Sequence, residues 1–247
     1  MESFGPSIAV EDNVLDAWAE YLNFNERLHN LSSPLRAFLP TFVVTKEFRN
    51  ATLSADVRYN LFTDYIKKEI VKDKRWVDFK DVEMVFIPVS NDRHQFVEVL
   101  NLKTNDVCVL DSRTIFKDEA KKPKKSCKKG SRIENDTLST ILHADFGRYL
   151  TSIGHTKASA IFHAGLNYLR MQCQTNSKAA NCGVYAMRHM ETFMGKTREK
   201  CECGLDIEGR KLTTQINKLR VKYAAKILLF GCNIHLNKVG DLVNGKQ

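Results

Sequence analysis

Residues 172–194 read QCQTNSKAANCGVYAMRHMETFM, a polar, glutamine-containing loop that gives way to an apolar pattern. Val184, Met187, Met190 and Met194 recur at three- and four-residue steps, with Arg188 and Glu191 on the other face. That spacing predicts an amphipathic helix whose first turn holds Cys182 and Gly183. A helix N-terminus presents unpaired N–H groups and about half a positive charge, which favours a thiolate over a thiol. Cys182 is therefore a candidate nucleophile, and Gly183 is expected to let a substrate backbone come close. Cysteines are more often buried merely to fill space. The reading needs a base within hydrogen-bond reach and a group that orients the base.

Residues 82–111 supply both. VEMVFIPVS reads as a buried strand broken by Asn91-Asp92-Arg93, HQFVEVLNL as a second strand, and VCVLD as a third after the turn-rich KTND. A tight turn near Lys103 to Asn105 brings Asp111 to within about two residues of the level of His94 on the next strand, where diagonal neighbours lie ~7 Å apart. A His94–Asp111 pair is geometrically sound. Taken singly, His94 could simply start a strand and Asp111 cap a turn.

In order, spacing and flanking residues, this chain resembles the ubiquitin-like-protein-specific cysteine proteases, which include the SUMO proteases, and among them the plant, often transposon-borne, members. His94 in DRHQF, Asp111 in VLDS, Gln174 in QTN and Cys182 in NCGVYAMRHMET stand in the chain order of that family's His, Asp, Gln and Cys. The resemblance runs from Trp18-Ala19-Glu20-Tyr21-Leu22-Asn23 to LRVKYAAKILL at 219–229. It implies an α+β, papain-like fold, with the Cys helix packed on an antiparallel sheet that carries His and Asp. It also implies a thiol peptidase or isopeptidase cleaving after the Gly-Gly end of a SUMO-type ubiquitin-like protein. Cys182 would be nucleophile, His94 base and acid, Asp111 the orienting carboxylate and Gln174 an oxyanion donor beside the Cys182 N–H. No metal or organic cofactor is implied.

Three departures stand out. Gln95 occupies the position after the His where the family usually has an aromatic residue lining the slot for the substrate tail; the aromatic Phe96 follows one later. Asn181 replaces the usual Asp before the Cys. Ser177-Lys178-Ala179-Ala180 lengthens the loop between Gln and Cys, so that Gln172 is an alternative to Gln174. A catalytically weak or silent relative that binds a ubiquitin-like protein is the alternative reading, against which all triad residues are retained. An acyltransferase using the same thiol finds no phosphate-cradling Gly-rich loop.

With 247 residues, 43% of them hydrophobic, the chain can bury a substantial core. Its longest apolar runs, such as Ile227-Leu228-Leu229-Phe230, fall far short of the ~20 residues of a membrane span. MESFGPSIAVEDN has neither a basic start nor an apolar stretch, so no secretory signal is expected. Seven cysteines without small-scaffold spacing suit a reducing setting, nucleus or cytoplasm. A monomer is expected. Much of the +9 net charge sits in one segment: between Lys117 and Arg132, seven Lys and one Arg face only Asp118 and Glu119. This insertion reads as a solvated loop, an import signal, a nucleic-acid contact or a dock for an acidic partner.

Residues 1–80 are expected to form a helical N-terminal part of the catalytic domain, 81–236 the papain-like core with the Lys-rich insertion 117–132, and 237–247 a disordered tail. Core-facing helices are predicted over 12–22, over 54–71 behind a Ser54 cap, over 136–153 and over 211–230. Cys201-Glu202-Cys203 looks like half of a metal site, with Cys173 or a His as its only nearby supplement and no second spaced pair. Cys108 reads as core, and His189 as a surface or interhelical contact that points away from Cys182.

Overall fold

The β-rich middle of the sequence folds as its alternation dictates. In the computed structural model, which describes residues 4–6, 8–28, 34–73, 76–91, 94–113, 135–171, 173, 179–195, 200–201, 203–207 and 209–231, three strands run back and forth. They are β2 (Met84–Asn91), β3 (His94–Asn101) and β4 (Asp106–Leu110), antiparallel throughout. Asn91 pairs with His94, which closes the first hairpin at the break in the apolar pattern. The second hairpin turns where Asn105 takes a left-handed φ of 61°, a conformation Asn tolerates. Two short edge strands, β1 (Arg36–Phe38) beside β2 and β5 (Leu166–Tyr168) beside β4, are parallel to their neighbours. The five-stranded sheet is thus mixed, in the order β1-β2-β3-β4-β5, with the strands that lead to His94 and Asp111 antiparallel as expected.

Helices cover both faces, so β2 and β3 are buried at every position. On one face lie α1 (Asp12–Glu26), α5 (Cys182–Thr192) and α6 (Arg210–Leu228); on the other lie α2 (Ala55–Ile70), α3 (Asn135–Ser152) and the short α4 (Ala158–Phe162). The Ser54 hydroxyl accepts from the Val57 N–H at 3.3 Å and caps α2 as its position predicted. Gly147 of α3 lies so close to α4 that a Cβ would meet the Phe162 Cα at 2.7 Å, which is why no larger residue fits there. A two-stranded parallel ladder, β6 (Arg170–Met171) with β7 (Lys200–Cys201), flanks α5 in sequence on both sides.

Residues 1–80 contribute α1 and α2, and also β1, which extends the sheet. Among the described residues no helix is long and apolar enough to cross a membrane. The Lys117–Arg132 insertion and the 237–247 tail lie outside the described residues.

Candidate active site

Cys182 is the first residue of α5, behind a turn of 3-10 helix over Ala179–Asn181. Its Sγ lies 3.2 Å from His94 Nδ1, and His94 Nε2 lies 2.9 Å from both carboxylate oxygens of Asp111. The predicted diagonal is observed: Val97 pairs with Leu110, so Asp111 continues opposite Phe96, two residues from His94. An ionised carboxylate only accepts, so Nε2 carries a proton toward Asp111 and Nδ1 is left to take the thiol proton. Asp111 is further held by the Arg113 backbone N–H at 2.8 Å and the Arg113 guanidinium at 2.8 Å.

The three side chains lie just beneath the surface, 6% exposed at Cys182, 9% at His94 and 2% at Asp111, so each charge depends on its partners. Burial works against a charged His94, but hydrogen bonds to Asp111 and Cys182 outweigh it and raise its pKa above the usual histidine value. Burial likewise opposes ionisation of Asp111, and the bonds from His94 and Arg113 override it and hold the carboxyl below its ordinary range. The pair therefore stabilises the imidazolium that forms once Nδ1 has taken the Cys182 proton, and that imidazolium can later give a proton to a leaving group.

Gln95, which stands where a slot-lining aromatic was expected, turns away from such a role. It is buried, and its amide donates to the Val10 carbonyl at 2.9 Å and to Asp12 Oδ1 at 3.0 Å. Phe96 stacks on the His94 imidazole with centroids 5.9 Å apart and planes 17° apart. The space beside Gly183 is taken by the protein itself: a Cβ there would meet Gln95 Oε1 and Val10 Cβ, each at 2.5 Å. The expectation that Gly183 leaves room for a substrate backbone is thus corrected. It leaves room for the segment entering α1.

Three residues given no part in the site by their sequence pattern hold the Cys helix. Arg220 of α6 is buried at 1% exposure and donates to the Ala180 carbonyl at 2.7 Å and to Asn181 Oδ1 at 3.0 Å, fixing the turn that presents Cys182. At the other end, Arg36 donates to the Met190 and Glu191 carbonyls, each at 3.3 Å, while paired with buried Glu26. The Trp18 indole N–H reaches the Met187 carbonyl at 3.0 Å. The signal for Arg220 was present: it interrupts the stripe of Ile216, Tyr223 and Ile227 at core spacing, where a cation is buried only if it is paired.

Cys108 is core, as expected. His189 is not a surface residue: it is 1% exposed, stacks near Tyr185, and burial brings its imidazole down to about 4. Among the described residues no group of three or more His, Cys, Asp or Glu could hold a metal. Gln172 and Gln174 lie outside the described residues.

No family model matches this sequence, and no curated protein does. Solved structures do match in shape. The SUMO protease Ulp1 with its catalytic cysteine oxidised to a sulfonic acid superposes with a TM-score of 0.56 at 15% identity, over 92% of this chain and 81% of that one. A de-sumoylating protease gives 0.54 at 14% identity over 99% and 88%. The C-terminal Ulp1 protease domain in complex with Smt3, the yeast ortholog of SUMO, gives 0.51 at 14% identity over 90% and 81%. The chain thus has the α+β fold of these cysteine proteases over nearly its whole length.

Proposed function

We propose that the protein is a cysteine peptidase of the SUMO-protease type, cleaving the peptide or isopeptide bond that follows the C-terminal Gly-Gly of a ubiquitin-like protein. The observation that carries this reading is the relay Cys182–His94–Asp111, with contacts of 3.2 and 2.9 Å, inside a fold shared with SUMO proteases. His94 takes the Cys182 proton through Nδ1, and the thiolate attacks the scissile carbonyl. The oxyanion is received by the Cys182 backbone N–H and by the side chain of Gln174, with Gln172 as the alternative. Removing one such donor costs about 3–4 kcal/mol in other acyl-transfer enzymes. His94 then protonates the leaving amine, and a water, deprotonated by the same imidazole, hydrolyses the thioester. Asp111, held by Arg113, keeps the imidazole in the required tautomer.

The partner is a SUMO-type protein or its conjugate, met by the protein as a monomer. A nuclear or cytoplasmic setting suits a nucleophilic thiol. The test is hydrolysis of a panel of ubiquitin-like proteins carrying a reporter amide at the C-terminus. Turnover of a SUMO-type substrate that disappears in Cys182→Ala and His94→Ala supports the reading. Tight binding of the same panel with no turnover by the wild-type protein would replace it with a binding module.

A further inference from the structure

Cys173 and Cys203 lie 30 positions apart in sequence, yet their sulfurs are 3.1 Å apart, with exposures of 0% and 1%. The ladder explains the meeting. Met171 pairs with Cys201 in the parallel β6–β7 register, and each cysteine lies two residues beyond that pair. Parallel neighbours run ~4.8 Å apart, inside the range of Cα separations a disulfide spans. Both sulfurs are thiols in this structure.

We propose that Cys173 and Cys203 are a modification site, forming a reversible disulfide that fastens together the two ends of the segment carrying Cys182. Three features prepare the pair. Against the effect of burial, the hydrogen bond from Cys173 draws the Cys203 thiol below its usual range, which favours its thiolate form. The Cys203 carbonyl is gripped by Arg188 Nε at 2.7 Å, which anchors this end to α5. The residue after it, Gly204, has a φ of 70°, so the chain turns sharply away just beyond the anchor. Among the described residues the two thiols belong to no group of three or more His, Cys, Asp or Glu that could hold a metal, and so suit a disulfide better.

The oxidant is a hydroperoxide. The Cys203 thiolate attacks one peroxide oxygen and, with one proton taken up, becomes a sulfenic acid as water leaves; the Cys173 thiol then displaces that hydroxyl as a second water. The peroxide is the electron acceptor, and one hydrogen is lost from each thiol overall. Hydrogen peroxide is small enough to follow water through the local openings native folds undergo.

The test uses the full chain in a Cys182→Ala background, which removes the competing thiol and makes the result independent of the peptidase reading. Low equivalents of hydrogen peroxide should yield a species lighter by two hydrogens, with the link mapped by peptide mass to Cys173 and Cys203. Bridging a loop of this length should raise the melting temperature by roughly 5–10 °C, and a dithiol reductant should reverse it. Cys173→Ser and, separately, Cys203→Ser should each lose both the link and the shift. Oxygen-added products alone, a link between other cysteines, or a link without a thermal shift would overturn the proposal.

Discussion

The two faces of the central sheet are both buried against apolar clusters, but one of them also carries a set of directional bonds among its helices. Against one face, α1, α5 and α6 are joined by directional bonds: the Trp18 indole to Met187, Arg36 to Met190 and Glu191, Arg220 to Ala180 and Asn181, and Gln95 to Val10. Against the other, Phe62, Phe79, Phe146 and Tyr149 meet edge to face or tilted at centroid distances of 5.5–6.4 Å, as aromatic cores do. Apolar packing tolerates small displacements, whereas a charged or polar group loses its partner within an ångström. The face that must hold Cys182 against His94 is accordingly the one that adds hydrogen bonds, while the other meets the site through Phe96, stacked on the His94 imidazole. Glu98 is the exception there: fully buried near Ser139, its carboxyl is pushed by burial well above the usual range, which favours the neutral form.

The sharpest way to separate the faces is to remove the thiol. On the proposed chemistry, Cys182→Ala lowers kcat by ~10⁴-fold or more with the melting temperature within a few degrees of wild type. Phe146→Ala does the reverse. Its ring is 0% exposed, so truncation should cost about 3–5 kcal/mol in urea unfolding while the molecules that remain folded keep their kcat. If Phe146→Ala instead depressed kcat at full folding, the division between the faces would be wrong.

Arg220→Met tests whether hydrogen bonds on the chemical face position the nucleophile. It should lower kcat about ten- to a hundred-fold with little change in KM, and Arg220→Lys should recover part of that loss. An equal rise in KM with constant kcat would point to a role in substrate binding. Smaller effects come from two carboxylates. Burial opposes ionisation of Glu191, but Lys222 and Arg188 prevail and draw it down to about 2. A lowered acid pKa stabilises above the unfolded value and is lost as pH falls through the folded one. Glu191→Gln should therefore cost about 1–2 kcal/mol at pH 7, with the deficit shrinking between about pH 4 and 2. Glu98 has the opposite sign, since its neutral form is favoured in the fold. Glu98→Gln should stabilise by about 1 kcal/mol at pH 7, a gain that disappears below about pH 4, as equilibrium unfolding at the two pH values can measure.

What the sequence made legible was local. The break at Asn91 and the turn before Asp106 set the register of β3 and β4, which is enough to bring Asp111 within a diagonal of His94. The apolar spacing of residues 184–190 with the loop before it placed Cys182 at a helix start. What stayed hidden depends on chain returning from far away. The edge strands β1 and β5 have three residues each, too few to show alternation, and their parallel pairing follows from crossovers rather than from turns. Gln95 showed only as a departure from the aromatic slot position because its strand was visible and the Val10 segment it holds was not. His189 was legible only as a surface or interhelical contact, because helix spacing gives a side chain's direction on its own helix but not what covers it. Cys173 and Cys203 meet only through a two-residue ladder that no periodicity announces.

The most direct test of the central claim is covalent capture. Wild-type protein and Cys182→Ala are each mixed with SUMO-type and other ubiquitin-like proteins carrying an electrophile at the C-terminus, and intact masses are read. The proposed chemistry predicts one adduct on the wild-type protein with a SUMO-type probe, mapped to Cys182 and absent from the variant. Adduct formation that persists in Cys182→Ala, or none with any probe while a papain-like control reacts, would contradict it.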